Sequence, residues 1–208
     1  MSVEVRVLDT GMGNLRSVAR ALERAGATVA VVRTPEEVRR ARRLVVPGQG
    51  SFGDLAAALD DSGLRDALAE HLAAARPYLG ICLGMQILFE GSEESEGAGL
   101  GALRGHVRRL LGGEDPDDPA RRLKIPHMGW NEVEGEHALL PPREWFYFVH
   151  SFVCEPEEPG DCVGHSEHGA RFCAAVARGP LFACQFHPDK SQRAGARLLE
   201  RFLEGGWS

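Results

Sequence analysis

Apolar and polar residues alternate with period two from Val3 to Leu8, which predicts a first strand. After Thr10-Gly11-Met12-Gly13 the spacing becomes helical. Leu15, Val18, Ala19, Leu22 and Ala25 share one face of a helix from about Asn14 to Ala25, and Gly26 stops it. Thr28–Val32 predicts the next strand. Thr34-Pro35-Glu36-Glu37 then opens a short helix, with Thr34 as cap, Pro35 at the first helical position and Glu37 completing a capping box. Arg43–Val46 reads as a short buried strand ending in Pro47-Gly48-Gln49-Gly50. Helical stretches follow at about Asp54–Leu59 and Leu64–Ala75, then a strand at Tyr78–Ile81 and a helix at Leu83–Phe89. Strand and helix alternate as far as Phe89, the pattern of a parallel α/β sheet.

From about Arg104 the texture changes. Short apolar runs at His106–Leu110, Trp145–Val149, Cys162–His165, Phe172–Ala177 and Leu181–Phe186 predict an antiparallel extension of the sheet. Ser191–Leu203 predicts a closing helix with Ala194, Leu198, Leu199 and Phe202 as its apolar stripe. The acidic, proline-bearing stretch Gly112–Pro119 reads as one exposed loop. No linker or repeat divides the 208 residues, so one domain, 1–208, is expected.

Composition narrows the function classes. The chain is 43% hydrophobic and 26% charged, as in ordinary soluble globular proteins. Its net charge of −6 argues against a general nucleic-acid binder. No apolar run is long enough to cross a bilayer, and Met1–Asp9 has no signal-peptide apolar core, so no membrane association is expected. The five cysteines are odd in number and none are spaced C-x-x-C. Neither a zinc site nor a disulfide framework is expected, and the setting implied is a reducing cytoplasm, with most of the cysteines serving as small buried hydrophobes.

Candidate chemistry begins at Gly80-Ile81-Cys82-Leu83-Gly84, a G-x-C-x-G between a predicted strand and a predicted helix. This is the cysteine form of a nucleophile elbow, whose tight turn needs small residues two positions either side of the nucleophile. A helix start there favours thiolate over thiol and aims the Leu83 N–H at an oxyanion. Phe186-His187-Pro188-Asp189 follows another strand. Proline keeps the preceding residue extended, so His187 and Asp189 can point to the same side, the carboxylate holding one ring nitrogen while the other faces a nucleophile. Asp189 also fits a second role, as a cap of the last helix, for which Ser191 is an equally good candidate.

Gly48-Gln49-Gly50-Ser51-Phe52-Gly53 matches G-x-G-x-x-G after a strand and could be read as a dinucleotide fingerprint. Pro47 precedes it, and Asp66 and Glu70, the acidic residues about twenty positions on, fall inside a predicted helix. An oxyanion loop is the better reading, because glycines let backbone N–H groups approach a tetrahedral intermediate closely.

Together these residues resemble the class I (triad-type) glutamine amidotransferases over nearly the whole chain. Gly80–Gln86 (GICLGMQ) and Phe186–Ser191 (FHPDKS) look like the class motifs. Gly11–Asn14 (GMGN), Pro47–Gly50, Pro126–Asn131 (PHMGWN) and Phe148–Phe152 (FVHSF) look like those of the glutaminase subunits that work beside a (β/α)8 barrel cyclase in histidine synthesis. The fold expected is therefore α/β, an open doubly wound (flavodoxin-like), mostly parallel sheet with an antiparallel extension in the second half. By resemblance, Cys82 is the nucleophile, His187 the general base and then acid, and Asp189 the orienter. Leu83 and Gln49 give the oxyanion N–H groups, the Gln49 peptide having to reorient. Gly50 and Gln86 hold the amino-acid head group of glutamine, helped by the backbone around Ser151 and Phe152. Asn14, Trp130 and Lys190 face the cyclase. No metal and no organic cofactor is implied. The sequence departs from the family at Asp189, where glutamate is usual, at Gln49, where an apolar residue is common, and at Thr10, where a bulkier one is expected. Other readings of the scaffold are a glutaminase for a different synthase, a stand-alone cysteine hydrolase, or a non-catalytic regulatory module; the intact Cys82, His187 and Asp189 argue against the last.

Overall fold

The computed structural model describes residues 2–115 and 118–206. In chain order the elements are β1 (Val3–Leu8), α1 (Leu15–Arg24), β2 (Ala27–Val32), α2 (Pro35–Arg39), β3 (Leu44–Gly48), α3 (Phe52–Asp61), α4 (Leu64–Ala73), β4 (Tyr78–Cys82) and α5 (Leu83–Gln86). There follow β5 (Gly91–Ser92), β6 (Gly105–Arg109), β7 (Glu114–Asp115), β8 (Asp118–Arg122), β9 (His127–Gly135), β10 (Arg143–His150), β11 (Phe152–Pro156), β12 (Cys162–Glu167), β13 (Arg171–Arg178), β14 (Leu181–Cys184) and α6 (Gln192–Glu204).

Strands β2-β1-β3-β4-β14 lie side by side and all parallel. β3 and β4 are buried along their whole length, since each has a strand on both sides and helices over both faces. Alternate side chains go to opposite faces: Val45, Leu79 and Ile81 pack with Leu22 of α1 and Leu198 of α6, while Leu44, Val46 and Tyr78 pack with Leu55 of α3 and Leu68 of α4. This is the expected open, doubly wound sheet. Beyond β14 the strands β13, β12, β9 and β10 continue it antiparallel. The capping box at α2 forms as read: Thr34 Oγ1 accepts from the Glu37 N–H and the Glu37 carboxylate from the Thr34 N–H.

Four local expectations are corrected. The helix expected over Leu83–Phe89 is a single turn: Gly84 O, which would take the Leu88 N–H, accepts from the Tyr78 hydroxyl, and the Leu88 and Phe89 N–H groups go to Met85 O and Gln86 O instead. Ile87 O, Leu88 O and Phe89 O accept from the N–H groups of Leu100, Leu103 and Gly101. β9 and β11 are strands that the apolar pattern does not announce; Gly129, at φ +140, interrupts the alternation of β9. The Gly112–Pro119 loop contains β7 and the start of β8, a small two-stranded ribbon, with Pro116 and Asp117 outside the described residues. Finally, Cys162 and Cys173 form a disulfide between β12 and β13, their Cα atoms 5.9 Å apart. Sequence spacing carried no sign of this pair, because sheet register and the bulge between Cys162 and Gly164 bring it together. Among the described residues no helix is long and apolar enough to cross a membrane.

Candidate active site

Three parallel strands end at one place. Gly48 of β3 is in register with Cys82 of β4, and Cys184 of β14 with Ile81, so the residues following each strand converge at the carboxyl edge of the sheet. Cys82 occupies the turn from β4 to α5 at φ 54 and ψ −107, a conformation rare for a residue with a side chain. The flanking glycines are sterically required. A Cβ on Gly84 would lie 1.8 Å from the Val46 carbonyl oxygen, and one on Gly80 would lie 2.3 Å from that of Gly84. The elbow is therefore built as the G-x-C-x-G pattern implies, although one helical turn gives only a short dipole behind the sulfur.

After β14 the chain bends at Gln185 and Phe186. His187 is extended, but Pro188–Lys190 form a single 3-10 turn rather than the extended segment expected, and it is this turn that carries Asp189. The His187 N–H donates to Tyr147 O at 2.9 Å, pinning it to β10. Ser191 secures the turn from the other side: its hydroxyl donates to His187 O at 2.6 Å and accepts from the Tyr147 N–H at 2.9 Å. Ser191 is thus occupied in fixing the histidine, and makes no side-chain cap of α6. Nor does Asp189 cap it. The Asp189 carboxylate faces His187, Oδ1 lying 3.7 Å from Nδ1 with both side chains almost fully buried. Asn14 donates Nδ2 to Asp189 Oδ2 at 3.5 Å.

The electrostatics follow from these neighbours. Burial alone would push the His187 imidazole down, but the facing Asp189 carboxylate, then the Cys82 sulfur, outweigh it and raise its pKa to about 9. Nε2, buried and without a hydrogen-bond partner among the described residues, is the ring atom left to face the sulfur. Burial would likewise raise the Asp189 carboxyl; the facing His187 ring, then the neighbouring Ser17, bring it instead below the ordinary carboxylate value.

Cys82 opens into a cavity of about 380 Å³. All the residues read as oxyanion or substrate contacts line it: Gln49, Leu83, Gly50, Gln86, Ser151 and Phe152, with Lys190 at its wall. A second cavity of about 360 Å³, lined by Leu72, Leu100, Pro180 and Leu181 among others, lies at the opposite ends of β4 and β14, away from this chemistry. The loop bearing Gln49 rests on the early glycine loop, since a Cβ on Gly13 would come within 3.2 Å of the Gln49 nitrogen and one on Gly50 within 2.8 Å of Met12 Cε. Gly53, by contrast, is a packing glycine against Ser95 and Glu96. The N–H groups of Phe52 and Gly53 are already taken by Glu94 Oε2 and Ser95 Oγ, which removes the phosphate cradle a dinucleotide fingerprint needs.

Of the residues expected at a partner surface, Trp130 is 43% exposed. It shares one face of the β9–β10 hairpin with Met128, Trp145, Tyr147 and Val149, and Met128 and Trp145 are exposed too. Asn14 instead turns inward to Asp189. Thr10 leaves a buried hydroxyl with no hydrogen-bond partner among the described residues. Two groups escaped the sequence reading. Gln185 is 0% exposed and donates Nε2 to Cys82 Sγ at 3.4 Å; the sign of it was one amide inside the apolar run LFACQF. His127 stands 2.9 Å from His150. Burial first, then neighbouring histidines, lowers His127 to about 3, and burial lowers His150 to about 4, so both rings stay neutral.

The sequence pattern of the family described as "Glutamine amidotransferase class-I" matches residues 6–205. The chain is 46% identical to "Imidazole glycerol phosphate synthase subunit HisH" of Nitrosospira multiformis, over 96% of this chain and 97% of that one. It is 45% identical to "Imidazole glycerol phosphate synthase subunit HisH 1" of Pseudomonas aeruginosa, over 100% of both. Among solved structures, "Crystal structure of glutamine amidotransferase" aligns with TM-score 0.75 at 23% identity, over 96% of this chain and 97% of that one. "Structure of PurLQS from Thermotoga maritima" aligns with TM-score 0.76 at 18% identity, over 98% and 99%; these two likenesses speak for the fold alone. The chain belongs to the class-I glutamine amidotransferases, among the HisH subunits of imidazole glycerol phosphate synthase.

Proposed function

We propose that this single-domain chain hydrolyses glutamine at Cys82 and passes the ammonia to a (β/α)8 cyclase subunit in histidine biosynthesis. The observation that carries the reading is the meeting of Cys82, His187 and Asp189 at three strand ends, beside a cavity of about 380 Å³. With the proton of the thiol already held on His187, whose pKa is raised to about 9, Cys82 Sγ attacks the side-chain carbonyl carbon of glutamine. The oxyanion is received by the N–H of Leu83 and, once its peptide is turned inward, that of Gln49. His187 returns the proton to the leaving nitrogen, which departs as ammonia and leaves a thioester. Water deprotonated by His187 attacks the thioester, releasing glutamate and the thiol. Gln86, whose Nε2 is committed to Gln185 and Phe152, offers its Oε1 to the substrate ammonium beside Gly50. Ser151 and Phe152 supply backbone along the same wall. The setting is a reducing cytoplasm, which keeps a nucleophilic thiol free; the buried Cys82 is free, although Cys162 and Cys173 are paired.

Asp189→Asn should cost the glutaminase less than His187→Asn, because the imidazole carries the proton and the carboxylate only orients it. His187 keeps its Ser191 and Tyr147 anchors when Asp189 changes. Steady-state kcat for both variants in the assembled synthase decides it, and equal losses would show that Asp189 does more than orient.

The docking face for the cyclase is the exposed apolar side of the β9–β10 hairpin around Trp130, with Lys190 nearer the cavity. Free ammonia in water would become ammonium, so delivery needs a sealed path, and an unpartnered hydrolase would waste glutamine. The isolated chain should therefore be a feeble glutaminase that becomes active with the cyclase and its ligand bound, the ligand favouring the inward Gln49 peptide. Lys190→Glu should weaken assembly or this activation before it touches chemistry. Glutaminase assays on the isolated chain, the complex and the liganded complex test both points. Full activity in the isolated chain would refute the gating and leave the triad standing; no association with a cyclase would refute the proposed partner.

A further inference from the structure

The Cys82 sulfur has a polar neighbour that the triad does not use. Gln185, wholly buried just beyond β14, donates Nε2 to Sγ at 3.4 Å and accepts from Gln86 Nε2 through Oε1 at 3.0 Å. An amide can be turned over, so what matters is whether its polarity is forced. The Phe152 carbonyl settles it. That oxygen can only accept, and it faces Gln86 Nε2 at 3.5 Å while also taking His150 Nδ1 at 2.9 Å. Gln86 must therefore present its NH2 to Phe152 and to Gln185. Gln185 must answer with its oxygen, which leaves its own NH2 aimed at the sulfur. Turning Gln185 over would oppose two donors and set an acceptor oxygen against Cys82.

The same carbonyl is fixed from its far side. His150 gives Nδ1–H to Phe152, so its Nε2 accepts from His127 Nδ1 at 2.9 Å, and His127 Nε2 in turn accepts from Asn131 Nδ2 at 3.3 Å. Asn131 Nδ2 also donates to the Glu167 carbonyl at 2.7 Å, which fixes its orientation too. Two relays of neutral groups thus meet at Phe152 O. The one through Gln86 and Gln185 ends as a donor on the nucleophile.

We propose that Gln185 is a further catalytic residue of the glutaminase reaction, its side-chain N–H stabilising the negative charge on Cys82 Sγ, with Gln86 as the positioning residue that holds it in the donating orientation. The proposal rests on the reading of Cys82 as nucleophile. A hydrogen bond to a charged sulfur is stronger than one to a neutral thiol, so the bond favours the attacking form. It acts again when water opens the thioester and the sulfur leaves with the bonding electron pair, before His187 reprotonates it.

The test is the pH dependence of Cys82 alkylation by iodoacetamide in the assembled synthase, with the labelled site identified by peptide mapping. Gln185→Met keeps the volume and removes the donor. The rate at neutral pH should fall about tenfold and the profile move to higher pH, while glutaminase kcat falls with little change in KM. Gln86→Met, which releases Gln185 from its orienting partner, should move the alkylation profile in the same direction by less. A profile that stays in place in Gln185→Met overturns the proposal. Should that variant not fold, Gln86→Met decides alone, a displaced profile supporting the role and an unmoved one removing it. Labelling that falls on another cysteine in the unmodified protein would instead refute the nucleophile assignment itself.

Discussion

Replacing Cys82 with alanine is expected to lower glutamine-dependent synthesis by the assembled synthase by at least about 10³-fold, while synthesis from added ammonium salt continues. Release of ammonia and its use are separate reactions at separate sites, and only the first needs the thiol. The change is small and local: Cys82 is 7% exposed, and its backbone conformation is set by Gly80 and Gly84 rather than by its own side chain. The complex should therefore still assemble. Parallel assays with glutamine and with ammonium salt, plus a measurement of association with the cyclase, give the result. Equal loss of both activities in an intact complex would refute the division of labour between the two subunits.

Gly84→Ala should be nearly as damaging by a different route. The added methyl would sit 1.8 Å from Val46 O and 2.9 Å from Val46 C, and backbone atoms in the middle of a buried strand cannot swing aside. The elbow would have to open or β3 and β4 separate, at a cost on the order of 3 kcal/mol. Both the unfolding midpoint and the glutaminase activity should fall. Gly160→Ala is the control, because a Cβ there meets nothing within 4 Å and should leave both unchanged. A Gly84→Ala protein of normal stability and activity would mean that the turn at Cys82 is not the tight elbow described.

Much of this was legible in the sequence because it is local. The capping box at Thr34–Glu37, the alternation of strands and helices through β4, and the two glycines around Cys82 are all set by neighbours a few positions away. What stayed hidden depends on register between distant segments. The segment after α5 is held by residues 100–103, which occupy the carbonyls of Ile87–Phe89. Asn14 reads as a surface residue at a helix start, yet sheet order brings Asp189 beside it. Gln185 sits next to a recognised motif, but its bond to Cys82 requires the pairing of β14 with β4. The Cys162–Cys173 pair depends on a bulge that spacing does not reveal. Short glycine patterns also over-promise: the dinucleotide-like loop ends at a helix whose first amides are already claimed by Glu94 and Ser95.

The parallel pairing of β14 with β4 also orders events in time. Gln185 and Cys82 are 103 positions apart, and β14 enters the sheet between β4 and β13, so it is among the last strands to leave the ribosome and yet occupies a central place. A chain grown only as far as β13 already contains its thiol, but not the histidine that would take its proton or the amide that would face its sulfur. The nucleophile is made early and armed late. A nascent or C-terminally broken chain thus carries a cysteine without its base, and the capacity to consume glutamine arrives only when the sheet closes.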